Sequence, residues 1–311
     1  MSSSDASAGS SLRCIVGPTA AGKSALALAI ADAAHGEIIS ADSRQIYRGF
    51  DIGTAKPTRA ERARVPHRGI DVAEPTERWS AARFARDAAQ WIAEATARKR
   101  PPLVVGGTGL WIAALVRPFA PIPALDPTRR EALSEVFEGL SRDELRAWCA
   151  ALDPDIARHG PAQWRRAIEV ALLTGTRLSE WQRATPAPQW NAHYLLVDAG
   201  EALDDRIAAR TDAMFAAGWM DEVRALSEHV PASAPAWKAC GYERVRAAQT
   251  GGTPLDALRR AVIQETRQYA RRQRTWFRRQ LKHGVVTRVD ATARDAVDQA
   301  LSWWRETGRQ G

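Results

Sequence analysis

The chain has 311 residues, 45% of them apolar, enough for one large domain or a core domain carrying a smaller one, and too many for a small disulfide-stapled scaffold. Its 44 basic residues against 36 acidic ones leave a net charge of +8, modest for this length, so where the excess sits matters more than its sum. No apolar run reaches the ~18 residues of a membrane span, and Cys14, Cys149 and Cys240 stand apart, with no C-x-x-C pair and no histidine at metal-ligand spacing.

The opening, MSSSDASAGSSL, is small and polar, with neither the basic start nor the apolar stretch of a secretory signal. Residues 1–11 are expected to form a disordered tail, and the protein to reside in the cytoplasm. Beyond them, short apolar runs alternate with amphipathic stretches, the pattern of βα units that build a parallel sheet. Leu12 to Val16 reads as the first strand, Ala21 to Ala34 as a helix and Glu37 to Ser40 as the second strand. Between the first strand and the helix, Gly17-Pro18-Thr19-Ala20-Ala21-Gly22-Lys23-Ser24 fits G-x-x-x-x-G-K-[ST] at every position. The glycines let backbone N–H groups turn inward at a helix N-terminus, Lys23 adds a point charge, and the Ser24 hydroxyl is placed to hold Mg²⁺.

A helix from about Ser80 to Arg98 carries Phe84, Ala88, Trp91, Ile92 and Ala95 at helical spacing. Pro101 and Pro102 stop it, and Leu103 to Val105 forms a third, buried strand leading into Gly106-Gly107-Thr108. That strand ends without a carboxylate, unlike the strand that fixes Mg²⁺ in P-loop nucleotide hydrolases. The acid follows the second strand instead, at Asp42. Loops after strand C-termini gather around the phosphate site of a parallel sheet, so Asp42 is either a general base for an acceptor or the cap of a turn before Gln45. Thr108, at another strand end, either orients the acceptor or caps a helix.

Pro118, Pro121 and Pro123 break the βα rhythm. From there to Pro188 the pattern is helical only, over 126–139, over 141–152 behind the capping box Ser141-x-x-Glu144, and over 163–174 before Gly175. Residues 118–188 are therefore read as an inserted all-helical subdomain, with 12–117 and 189–311 forming the core. A strand returns at Tyr194 to Val197, then helices over 201–217, 219–229, 241–249 and 254–282, a short strand from Val285 to Val289, and a last helix. The fold class is α/β: a P-loop NTPase-like parallel sheet flanked by helices. In the long helix Arg267, Arg271, Arg274, Arg278 and Lys282 recur as one stripe, and Glu265 is the only acid between Arg259 and Lys282. Such a stripe matches a phosphate backbone. Trp276 and Phe277 interrupt it, either to anchor the helix to the core or to stack on a base.

The phosphate loop, Ser40-Ala-Asp-Ser-Arg-Gln-Ile-Tyr47, Asp51-Ile-Gly-Thr-Ala-Lys-Pro57, Pro66-His-Arg68, Val105-Gly-Gly-Thr108, Gly241-Tyr242 and Arg271-Arg-Gln-Arg-Thr-Trp276 together resemble the bacterial tRNA dimethylallyltransferases, also called tRNA isopentenyltransferases. The resemblance runs from residue 13 to about 280. It implies transfer of a dimethylallyl group from dimethylallyl diphosphate to N6 of adenosine 37 in the tRNA anticodon arm, giving N6-dimethylallyladenosine (i6A). By that resemblance Gly17 to Ser24, with Lys23, Arg210 and Mg²⁺ at Ser24, hold the diphosphate; Asp42 takes the N6 proton; and Thr108 positions the base. It also implies tRNA contacts at Asp42, Ser43, Arg44, Gln45, Thr108 and Arg130. Further contacts map onto Ala162, Gln163, Trp164, Arg165 and Arg166, onto Lys238, Ala239, Cys240, Gly241, Tyr242 and Glu243, and onto Arg271, Arg272, Gln273, Arg274, Thr275, Trp276, Phe277 and Arg278. The inserted helices would clamp the RNA, with no membrane partner and a monomer as the simplest state. The competing readings are a small-molecule P-loop kinase, which leaves the basic helix without a task, and an RNA-binding protein with a vestigial phosphate site.

Overall fold

The computed structural model describes residues 10–185, 188–281 and 284–308. The chain divides into two compact units, one made of Met1–Val116 with Gln189–Gly311 and the other of Arg117–Pro188.

The first unit opens with β1 (Ser10–Val16), α1 (Lys23–Ala33), β2 (Glu37–Ser40), α2 (Arg59–Arg64), β3 (His67–Arg68), α3 (Ala81–Ala97), β4 (Pro102–Gly106) and α4 (Gly109–Val116). The second unit is helical, with α5 (Pro127–Glu138), α6 (Arg142–Leu152), α7 (Pro161–Thr174) and α8 (Leu178–Arg183). The chain then returns to the first unit as β5 (Trp190–Asp198), α9 (Leu203–Ala216), α10 (Trp219–Ser227), α11 (Tyr242–Gly251), α12 (Leu255–Gln280), β6 (Gly284–Asp290) and α13 (Ala296–Gly308).

Six parallel strands form one sheet in the order β3-β2-β4-β1-β5-β6. In register, Cys14 lies between Val104 on β4 and Tyr194 on β5. Because every strand runs the same way, the loops after β1, β2, β4 and β5 open on one edge, the edge where ligands bind in open α/β sheets. Apolar layers cover both faces. One holds Val16, Ile39, Val104 and Leu196 with the aromatics Phe50, Phe84, Trp111, Trp219, Trp237 and Tyr242. The other packs Ile15, Val105, Leu195 and Val197 against α1 and α13.

Two expectations need correction. β1 begins at Ser10, paired with Trp190, so Ser10 and Ser11 belong to the sheet and not to a tail; residues 1–9 lie outside the described residues. β3, α4 and the six-residue helices α2 and α8 were not expected. β3 has two residues, too few for an alternation, and α4 is buried nearly all round and lacks the polar face that makes a helix visible. In the second unit Phe137, Leu145, Cys149, Trp164 and Ile168 form a separate core. Its capping box is present: the Ser141 hydroxyl accepts from Glu144 N, and Glu144 accepts in return from Ser141 N at 2.8 Å.

Candidate active site

The phosphate loop follows β1 directly. Gly17 has φ +150°, and a side chain there would meet the Val197 carbonyl oxygen at 2.1 Å, so only glycine lets the loop leave the sheet at this point. α1 then starts behind Gly22 with no side-chain cap, whereas α2 and α6 are capped by Thr58 and Ser141. An uncapped first turn leaves its N–H groups open to an anion.

Side chains from distant segments brace this loop. Arg210 on α9 donates to Thr19 Oγ1 at 3.0 Å, and Arg206, one turn earlier, donates to the Ala20 carbonyl at 2.9 Å. Gln273 on α12 accepts from Thr19 N at 2.8 Å and donates to the Gly107 carbonyl at 2.9 Å. Lys23 Nζ donates to the Pro18 carbonyl at 2.6 Å. Burial and the nearby Arg210 push the Lys23 ammonium down to about 8, with Asp42 opposing. Burial also lowers Arg210, against the pull of Asp42 and Cys240.

A cleft of about 550 Å³ lies over the loop, lined at one end by Thr19, Lys23, Ser24, Arg206 and Arg210 and along its wall by Leu28, Ile38, Ile70 and Val105. A second cleft, of about 240 Å³, has Met214, Trp219 and Tyr269 on its walls and Arg44, Lys238 and Arg272 among its lining residues. Thr19, Ala20, Asp42, Arg210 and Tyr269 line both. Asp42 stands where the two meet. Its Oδ1 accepts from Arg44 N at 2.8 Å, so the turn-capping role is filled as well, and its other oxygen carries no hydrogen bond among the described residues. Thr108 Oγ1 accepts from Ser43 N at 3.0 Å and donates to Ser43 Oγ at 3.3 Å, tying the loop after β4 to the loop after β2.

The stretch Asp51 to Pro57 forms a pinned loop whose residues line both clefts with Asp42. Lys56, whose side chain is 2% exposed, reaches the Tyr47 carbonyl and pairs with Asp51 and Asp71. Gln45 donates to the carbonyls of Thr54 and Ala55. Glu222 on α10 accepts from Asp51 N and Ile52 N, while Tyr242 donates to Glu222 and accepts from Gly53 N. The Trp219 indole packs so closely on Gly53 that an added Cβ would sit 2.2 Å from the ring.

The basic stripe is divided by its neighbours. Arg274 binds the Asp198 carboxylate and the Gly200 carbonyl, and Arg267 faces Asp204 at 3.4 Å. Asp198 ends β5, the other strand beside β1, so a strand-end acid does exist near the loop but is occupied by Arg274. Arg271, Arg272, Thr275 and Arg278 are exposed, and Lys282 lies outside the described residues. Phe277 is 2% exposed and packs in the core, and Trp276 lies over Gly109. Of the two roles left open for this pair, the fold uses anchoring.

Tyr242, Ala239 and Gln273 are likewise buried. The side chains of Tyr242 and Phe277 pack in the core and line neither cleft, whereas Ala239 lines the second cleft and Gln273 the first. Lys238 and Glu243 are exposed, Cys240 is half-buried with its sulfur 3.4 Å from Thr266 Oγ1, and Gly241 N donates to Glu265. In the helical unit Ala162, Gln163 and Arg165 are exposed, while Trp164 is buried and donates to the Ala157 carbonyl, so it too is a core residue. Arg130 and Arg166 share one acid, Glu169, each at 3.3 Å. Reading the sequence missed Arg206, Tyr269 and Asp198. Only the four-residue spacing of Arg206 and Arg210 on one helix face offered a signal.

A family model described as IPP transferase matches residues 45–280, and one described as isopentenyl transferase matches residues 10–67. The tRNA dimethylallyltransferase of Halorhodospira halophila is 44% identical over 301 residues, 93% of this chain and 97% of that protein. Its counterpart in Stenotrophomonas maltophilia is 42% identical over 282 residues, 86% and 89% of the two chains. Among solved structures, the tRNA isopentenylpyrophosphate transferase of Bacillus halodurans is similar with a TM-score of 0.68 and 31% identity, covering 96% of this chain and 98% of that one. A eukaryotic dimethylallyltransferase acting on tRNA, 24% identical, shares the fold with a TM-score of 0.78 over 97% of this chain and 80% of its own.

Proposed function

The chain belongs to the IPP transferase family, whose relatives at 42% and 44% identity are tRNA dimethylallyltransferases, and from that premise we propose that it moves a dimethylallyl group from dimethylallyl diphosphate to N6 of adenosine 37 in tRNA, giving i6A. The observation that carries this reading is Asp42 lining both clefts, between a cationic phosphate end and a compartment with aromatic walls.

The diphosphate lies in the phosphate loop, against the open N–H groups of α1, Lys23 and Arg210, with Arg206 beside them. The target base is turned out of its stack, at a cost of a few kcal/mol, and enters the compartment walled by Trp219 and Tyr269. There N6 attacks the allyl carbon C1. The C–O bond breaks with its electron pair on the diphosphate, whose growing charge Lys23 and Arg210 stabilise, and the N6 proton passes to Asp42. Thr108 holds Ser43, and through it the Asp42 loop, in place.

The donor set here suits magnesium held mainly by substrate oxygens: the Ser24 hydroxyl lines the cleft, and no cluster of three or more histidine, cysteine or acidic side chains exists among the described residues. Ser24 would hold Mg²⁺, which when bound would neutralise diphosphate charge. Arg44, Lys238, Arg271, Arg272 and Arg278 suit the RNA backbone, and the helical unit offers Gln163 and Arg165 to the anticodon arm. The enzyme acts as a cytoplasmic monomer; among the described residues no helix is long and apolar enough to cross a membrane.

Incubation with labelled dimethylallyl diphosphate or labelled ATP, each with unmodified tRNA with or without an A36-A37-A38 sequence, tests the reading. Label passing from the allyl donor to the A36-A37-A38 tRNA alone is the expected result. ATP turnover without allyl transfer would instead indicate the kinase.

A further inference from the structure

One side chain touches the donor loop, the acceptor loop and the basic helix together. Gln273 is 7% exposed, and its amide is used at both ends. The oxygen accepts from Thr19 N in the phosphate loop, and the nitrogen donates to the carbonyl of Gly107, the residue before Thr108. Because one partner is an N–H and the other a C=O, only one orientation of the amide satisfies both. From Thr19 the connection continues to Arg210 through the threonine hydroxyl; from Gly107 it continues through Thr108 to Ser43, next to Asp42. The third attachment is covalent. Gln273 sits on α12 between the exposed Arg271 and Arg272 on one side and Arg274, tied to Asp198 at the end of β5, on the other.

We propose that Gln273 is a positioning residue that couples the two substrates: tRNA seated on the arginines of α12 alters diphosphate affinity in the phosphate loop, and diphosphate alters tRNA affinity by the same factor. The inference rests on the proposed function, in that it takes the loop as the diphosphate site and α12 as an RNA contact. A shift or rotation of α12 reaches the loop without passing through solvent or a flexible side chain, because the buried amide allows neither bond to lengthen without leaving a polar group unpaired. Coupling between two sites is a ratio of affinities and is reciprocal. It therefore reads the link itself, whatever a substitution does to either affinity alone.

The test measures inorganic diphosphate affinity by calorimetry, with and without saturating unmodified tRNA, for the full chain and for Gln273→Met and Gln273→Glu. The native ratio is expected to fall roughly between 5- and 150-fold, the usual range for coupled sites. Gln273→Met, which loses both hydrogen bonds, should bring it to about 1. Gln273→Glu keeps the acceptor for Thr19 N but places an oxygen against the Gly107 carbonyl, so it should lower the ratio; it also carries the test if the methionine variant does not fold. Conversely, tRNA affinity with and without diphosphate should change by the same factors. A native ratio of 1, or an undiminished ratio in a folded variant, overturns the coupling and leaves the transferase reading standing. Failure of the native chain to bind diphosphate at all would instead strike at the phosphate-loop assignment.

Discussion

The phosphate loop and α12 meet at Gln273, yet they present positive charge in opposite ways. At the loop the charge is half-buried on a cleft wall: Lys23 and Arg210 hold a carbonyl and a hydroxyl, and neither has an ion-pair partner among the described residues. Burial weakens both cations, so a bound anion restores what the fold takes away. Along α12 the charge divides between solvent and acids. Arg271 and Arg278 are exposed, while Arg267 and Arg274 are matched by Asp204 and Asp198. A few desolvated cations suit one small, highly charged group, and many exposed ones suit a long backbone whose contacts are individually weak and salt-dependent.

The sharpest way to break this contrast is to remove the charge at the loop. Lys23→Met should lower transfer by about 10²–10³, the usual cost of deleting a preorganised donor to developing charge, and should weaken diphosphate binding as well. A loss no larger than that of an exposed arginine would erase the distinction. Asp42→Asn should cut single-turnover transfer by about 10² while diphosphate binding persists, because only the proton acceptor is lost; full activity would remove Asp42 from the mechanism.

The pH dependence is smaller but more selective. Free Lys23 is charged below about 8 and neutral above it. An anion favours the charged form, so diphosphate affinity should be flat at lower pH and fall as pH rises through about 8, by at most tenfold per unit for one proton. Titration calorimetry from about pH 7 to pH 9.5 reads this as the difference between the native chain and Lys23→Met, in which only the ligand's own ionisation should remain.

On α12 the effects are smaller and separate by residue. Replacing Arg271 and Arg278 together by alanine should reduce the salt slope of tRNA binding by about 1 per residue, with the melting temperature unchanged. Arg274→Ala should instead cost roughly 1 kcal/mol of stability or less, since its pairing with Asp198 is partly exposed and screened. Equal behaviour of the two variants in both assays would show that the division of the stripe has no consequence.

Where an element depends on near neighbours, the sequence determined it. The phosphate loop lies between β1 and α1 as its motif requires, and the Ser141–Glu144 capping box spans four residues and forms as read. The alternation of short apolar runs and amphipathic stretches anticipated the parallel sheet. Lys23 and Asp42, which motif and strand-end position single out, line one cleft with Arg210, which the family resemblance adds. The division of the basic stripe is different, because it was decided by Asp198 and Asp204, more than sixty positions away, which helical periodicity cannot register. The meaning of Asp51 to Pro57 was equally hidden: its lysine is buried against Asp71 and its glycine lies under Trp219, so the motif records a tertiary fit. Gln273 gives the same lesson within one side chain. A glutamine in a basic helix reads as surface, and only the folded chain, by bringing Thr19 and Gly107 to either end of its amide, makes Gln273 internal. Periodicity and capping are written in bonds a few residues long, whereas burial and pairing depend on what the rest of the chain brings alongside.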